Sequence, residues 1–134
     1  MSIFSDGNNV WVTGCASSTN FPTLNPGKGA YFQAAPAGLT NSFILQFNTV
    51  GICKWATYYG GNDTIGIGDL GMSIYSDRKN VWITGLCSST NFPTYNPGRG
   101  AYFQATLASK VTSNVYILKF DTTGVRKWAT CIKL

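Results

Sequence analysis

Short runs rich in Val, Ile, Trp, Phe and Thr recur along the chain, five to seven residues at a time, between polar and Gly-rich punctuation. Runs of that length and composition fit a pleated, packed surface and read as β-strands. No segment carries an apolar i, i+3, i+4, i+7 stripe of helical length. Ser5-Asp6-Gly7-Asn8-Asn9 and Ser76-Asp77-Arg78-Lys79-Asn80 read as tight hairpin turns. Asn48-Thr49-Val50-Gly51 and Asp121-Thr122-Thr123-Gly124 read the same way, with Gly supplying positive φ. Phe43, Leu45 and Phe47 fall on one face of a run and Ile44 on the other, so both faces are apolar. A sheet apolar on both faces calls for a neighbouring sheet on each side.

The runs are organised as an internal repeat. Residues 1–34 align without gaps to residues 72–105 at an offset of 71, and 26 of the 34 positions are identical. The shared spine reads Val10-Trp11-Val12-Thr13-Gly14 against Val81-Trp82-Ile83-Thr84-Gly85, then Ser-Ser-Thr-Asn-Phe-Pro-Thr at 17–23 and 88–94. Asn25-Pro26-Gly27-Lys28-Gly29-Ala30-Tyr31-Phe32-Gln33 then matches Asn96-Pro97-Gly98-Arg99-Gly100-Ala101-Tyr102-Phe103-Gln104. The match resumes at an offset of 73, with Phe43–Phe47 against Tyr116–Phe120 and Lys54–Thr57 against Lys127–Thr130. The change of offset falls between Gln33 and Phe43, in Ala-, Pro- and Gly-rich sequence where a loop tolerates it.

Each copy therefore holds four strands. In the second they cover about Leu70–Tyr75, Asn80–Gly85, Val115–Asp121 and Val125–Cys131, with a long loop of about twenty residues after the second. Hairpin, long loop, hairpin is a four-stranded antiparallel meander, and radial stacking of such sheets covers both faces of each. The expected fold is all-β: β-propeller blades, two per chain, residues 1–61 forming the first and residues 62–134 a linker plus the second.

Composition then narrows the chemistry. The 134 residues include ten Lys and Arg against five acids, all Asp, and neither Glu nor His occurs. The usual general base, the commonest metal ligand and His-dependent triads are thereby removed. The net charge of +5 is scattered, with only Arg78–Lys79 and Arg126–Lys127 adjacent, which argues against a nucleic-acid partner or a polybasic membrane patch. No apolar stretch is long enough to insert in a membrane, and residues 1–6 lack the regions of a signal peptide. Cys15, Cys53, Cys87 and Cys131 have no metal-type spacing and are not equivalent between the repeats, so they are expected to be buried free thiols.

The Asn-Val-Trp-Val/Ile-Thr-Gly strand, the Ser-Ser-Thr-Asn-Phe-Pro-Thr loop opening and the Pro-Gly-x-Gly-Ala-Tyr-Phe-Gln segment resemble the bacterial seven-bladed β-propeller (SBBP) repeat. The hairpin Phe/Tyr-Ile-Leu-x-Phe-Asn/Asp-x-x-Gly-x-x-Lys-Trp-Ala-Thr resembles it too, so the likeness covers nearly the whole chain. The resemblance implies a blade fold, an extracellular or cell-surface setting in bacteria, and no activity or catalytic residues for the repeat itself. Two blades do not close a ring. Completion is expected from three or four copies of the chain, giving six or eight blades, or from the remaining blades of a longer chain.

Candidate sites are few. Trp11, Trp55, Trp82 and Trp128 sit at equivalent strand positions and read as inter-blade core rather than stacking platforms. In the long loops, Asn20, Lys28 and Tyr31, with Asn91, Arg99 and Tyr102, are candidates to line a pocket for a neutral or anionic glycan. The competing reading is that Phe21-Pro22 and Tyr31-Phe32 pin the loop to its own blade. Asp6, Asp77 and Asp121 read as turn residues, and Asp63 and Asp69 in the linker are a weak Ca²⁺ signal. The leading expectation is a non-enzymatic scaffold or interaction module with no cofactor and no metal. The alternatives are an oligomeric lectin with one site per repeated loop, and a fragment of a propeller enzyme.

Overall fold

A computed structural model describes residues 1–105 and 114–134. The chain is all-β, with no helix among the described residues, and forms two four-stranded antiparallel sheets. The first sheet contains β1 (Ser2–Ser5), β2 (Asn9–Ala16), β3 (Asn41–Asn48) and β4 (Cys53–Tyr59), paired in sequence order. The second contains β5 (Leu70–Ser76), β6 (Asn80–Cys87), β7 (Asn114–Asp121) and β8 (Arg126–Ile132), again in order. These are two propeller-like blades. Strands β5, β6 and β7 each extend a residue or two beyond their expected bounds, and β8 is shifted by one residue toward the C-terminus. The second-copy counterpart of the Ala/Pro/Gly-rich insertion lies largely at 106–113, outside the described residues.

Local chemistry explains the turns. Asp6 accepts the backbone N–H groups of Asn8 and Asn9 at 2.8 Å, and Asp77 does the same for Lys79 and Asn80. Asp121 caps Thr123 and Val125 in the β7–β8 turn. A register shift at Gln46/Phe47 recurs at Lys119/Phe120, so the same bulge leads into both second hairpins.

The long loops protect the sheets' outer edges. Leu24 and Ala56 exchange two backbone hydrogen bonds at 2.9 and 3.0 Å, and Tyr95 and Ala129 repeat the pattern. The outermost strand of each blade thus has a short partner instead of a bare edge. Phe21 stacks on Phe43 with centroids 5.1 Å apart, and Phe92 stacks on Tyr116 at 4.9 Å.

The core lies between the two sheets. Trp11, Ile44, Trp55 and Tyr59 of the first blade meet Ile74, Val81, Ile83, Tyr116, Leu118 and Phe120 of the second. Burying each such side chain contributes roughly 1.5–3 kcal/mol, which makes this face-to-face packing the main stabilising element.

Candidate interaction surface

Alternation along the strands assigns each blade a covered and an uncovered face. In the first blade, Phe4, Trp11, Ile44, Gln46, Trp55 and Tyr59 point at the second blade. In the second blade the opposite face is used: Ile74, Val81, Ile83, Tyr116, Leu118 and Phe120 point back. Repeat counterparts therefore have opposite fates. Ile74 is 4% exposed and its counterpart Ile3 is 70% exposed. Trp11 and Trp55 are fully buried, while their counterparts Trp82 and Trp128 are only half-buried on the outer face. The expectation that all four tryptophans are inter-blade core holds within the chain only for the first two.

Three clusters fasten the covered faces together. At one end, Asp6 accepts Trp11 Nε1–H at 3.0 Å and Ser76 Oγ–H at 2.5 Å, and Arg78 Nε–H donates to the Asp6 carbonyl at 2.7 Å. Partial burial raises the Asp6 carboxyl, but the hydrogen bonds from Ser76, Asn9, Trp11 and Asn8 outweigh it and hold the group down at about 2. Arg78 makes this contact from positive φ, at the position where the first repeat has Gly7.

Along the strand axis, Phe120 meets Trp55 edge-on at 5.2 Å. The β7–β8 turn lies across the first blade: Gln46 donates to the Thr122 carbonyl at 3.1 Å, and Tyr31 N–H donates to the Gly124 carbonyl at 2.8 Å. A methyl group on Gly124 would lie tightly against Ala30 at 3.1 Å and the Trp55 ring at 3.2 Å, so the φ of +89 favours glycine and the packing leaves little room for a side chain. Nearby, Arg126 is held between the rings of Tyr31 and Tyr95 and donates to Tyr59 Oη at 3.2 Å. Burial pushes the Tyr31 hydroxyl up to about 12, against the pull of Arg126.

The third fastening is the inter-blade linker. Asp69 accepts the N–H groups of Gly61, Ser88 and Ser89 and the Ser89 hydroxyl. Asp63 accepts Ile65, Gly66 and Gly68 N–H and the Ser88 hydroxyl. Burial raises the Asp63 carboxyl, and these four donors overcome it and lower it to about 2. Every carboxylate oxygen of the pair thus has protein donors, which makes the linker acids backbone staples rather than a Ca²⁺ cradle. No group of three or more metal-ligand side chains occurs among the described residues.

The six loop residues are not gathered into one pocket. Asn20 is exposed and bonded to Ser18, and Asn91 accepts the N–H of Asn62 in the linker. Lys28 lines a groove with Pro26, Gln46 and Lys54 of its own blade and Thr122 and Thr123 of the second. Its counterpart Arg99 is exposed, and both residues adopt positive φ in their Pro-Gly-x-Gly turns. Tyr31 packs on Tyr59 at 4.6 Å and its carbonyl accepts Trp55 Nε1–H at 2.8 Å, so it pins the loop to its own sheet, and it also reaches Phe120 of the second blade at 6.4 Å. Tyr102, its counterpart, is 55% exposed and lines an open groove of about 270 Å³ with Pro97, Ala101, Lys119, Lys127 and Trp128. The two loops therefore offer a ligand different surroundings.

The cysteines divide likewise. Cys87 and Cys131 are buried with sulfurs in contact at 2.7 Å, and that contact together with burial raises the Cys87 thiol far above its usual range. Cys15 is exposed and Cys53 half-buried, contrary to the expectation of burial for all four. Cys15 lies on β2 beyond the last residue paired with β1, and Cys53 opens β4 beside the bulge, which sequence spacing does not reveal. No helix among the described residues is long and apolar enough to cross a membrane. No family model and no curated protein matches the chain.

Proposed function

We propose that the chain is a non-enzymatic β-propeller scaffold, a two-blade unit of SBBP-repeat type whose two uncovered sheet faces accept further blades. The observation that carries this reading is the exchange of fates between repeat counterparts. The open face of the first blade bears Ile3, Val10, Val12, Leu45 and Phe47, whose counterparts Ile74, Val81, Ile83, Leu118 and Phe120 form the covered face of the second. The open face of the second bears Trp82, Ile117 and Trp128, whose counterparts Trp11, Ile44 and Trp55 are fully buried. Contiguous apolar faces of this kind mark binding surfaces. The absence of His and Glu from the sequence leaves little for acid–base catalysis to use.

The test is a tandem fusion of two copies, the second joined through a repeat of residues 60–71 that replaces Lys133 and Leu134, so that the blade spacing is kept. A scaffold of this kind gains a third blade-to-blade interface for every linker added. The fusion is expected to unfold as one cooperative unit with a melting temperature on the order of 10 °C above that of the single chain diluted to its monomeric form, and to bind less hydrophobic dye per blade than that form. A fusion that melts where the single chain melts, with dye binding simply doubled, contradicts the reading.

A further inference from the structure

The identity of the next blade is written in the chain itself. Within the chain, the groove beside Lys28 and Gln46 is walled on one side by Thr122 and Thr123 of the β7–β8 turn, which is tied across the first blade by Gln46 to the Thr122 carbonyl and by Tyr31 N–H to the Gly124 carbonyl. The corresponding groove of the second blade, between Pro97, Tyr102, Lys119 and Trp128, holds no such segment, and the turn that corresponds to 122–124 is Thr49-Val50-Gly51. That turn is free: Val50 is 79% exposed, and a methyl group on Gly51 would meet nothing within 4 Å.

We propose that the Pro97–Tyr102–Lys119–Trp128 groove receives the β3–β4 turn of a second copy of this chain, head to tail. This rests on the scaffold reading and names its partner. Superposing the repeats gives the register. Trp128 packs against Phe47 and Gly51 of the incoming copy as Trp55 packs against Phe120 and Gly124. Lys119 donates to the Thr49 carbonyl as Gln46 donates to that of Thr122. The Tyr102 N–H reaches the Gly51 carbonyl as Tyr31 N–H reaches Gly124.

The positions at which the repeats differ support a copy of the same chain over an unrelated sheet. Among the polar contacts across the covered interface are two that lie between the sheets' facing strands, Ser42 with Tyr116 at 2.9 Å and Tyr59 with Arg126 at 3.2 Å. At the counterpart positions both partners change together to apolar residues: Val115 would face Phe43, and Ile132 would face Cys53. A hydroxyl or guanidinium left on one side alone would be buried without a partner at a cost of about 1–3 kcal/mol. Neither pair leaves one. The open faces are thus matched to each other. Such an interface is heterologous, so it propagates until the rotation closes a ring, here at three or four copies.

The experiment uses two surface variants of the full chain, Val50→Arg in the turn and Tyr102→Arg in the groove. Both side chains are more than half exposed, so each variant is expected to retain its circular dichroism and melting curve. Wild type should assemble, and each variant alone should run at the 14.5 kDa of one chain. An equimolar mixture retains one intact groove and one intact turn, and should give a one-to-one dimer that grows no further. A mixture that stays monomeric, or variants that assemble as wild type does, would overturn the proposal. A monomeric wild type alongside a stabilised tandem fusion would defeat the self-docking inference and leave the scaffold reading standing.

Discussion

At the scale of single residues, Asp6 does the most with the least area. It caps its own hairpin and holds Trp11 and Ser76, so it ties the first turn of one blade to the first strand of the next. Its carboxyl is lowered to about 2 in the fold, against about 3.9 in an unfolded chain. A depressed acid contributes stability that is present above the unfolded value and lost as pH falls toward the folded one. The chain is therefore expected to lose on the order of 2 kcal/mol between about pH 4 and pH 2 from this group. Asp6→Asn should be less stable at neutral pH and should show a correspondingly flatter acid limb in urea titrations at stepped pH. An acid limb identical in the variant and wild type would show that Asp6 is not the group responsible. The turn role of Asp6 was legible in sequence, because an Asp carboxylate accepting the N–H groups two and three residues further on is local chemistry. Its bonds to Ser76 and Arg78 were not, since they depend on how one sheet lies on the other.

At the scale of elements, the repeat made strand number, order and hairpin type readable before any coordinates. Identical Asp-capped first hairpins and identical bulges before the second hairpins follow from identical local sequence. What the repeat concealed is the asymmetry of environment. Trp55 and Trp128 have the same neighbours in sequence, but only Trp55 has a glycine turn laid across its ring. The loops mislead for the same reason: Tyr31 and Tyr102 look equivalent and differ because one has a neighbouring blade. A pair of substitutions separates backbone strain from inter-blade packing. Gly124 and Gly51 both sit at φ +89, so alanine at either costs about 1 kcal/mol in strain. Gly124→Ala also drives a methyl group into Trp55 and Ala30, adding about 1–3 kcal/mol. In chemical denaturation of the unassembled chain, Gly124→Ala is expected to be clearly the more destabilising. Equal losses would mean that the second turn does not pack on the first blade as described. In the assembled protein the difference should shrink, because Gly51 then meets Trp128 of the next copy.

At the scale of the whole molecule, the faces left open on the two blades are the repeat counterparts of the two faces packed between them, and the proposal is that they are two halves of one interface. Stacked sheets apolar on both sides have no stable termination without a cover, and among the described residues no second sheet lies over Ile3, Val12 and Phe47 or over Trp82 and Trp128. The direct measurement is the mass of the wild-type chain in solution by light scattering across a hundredfold range of concentration. The account requires a species at a whole multiple of 14.5 kDa, three or four copies at the upper end, dissociating on dilution without unfolding. A mass of one chain at every concentration would contradict it.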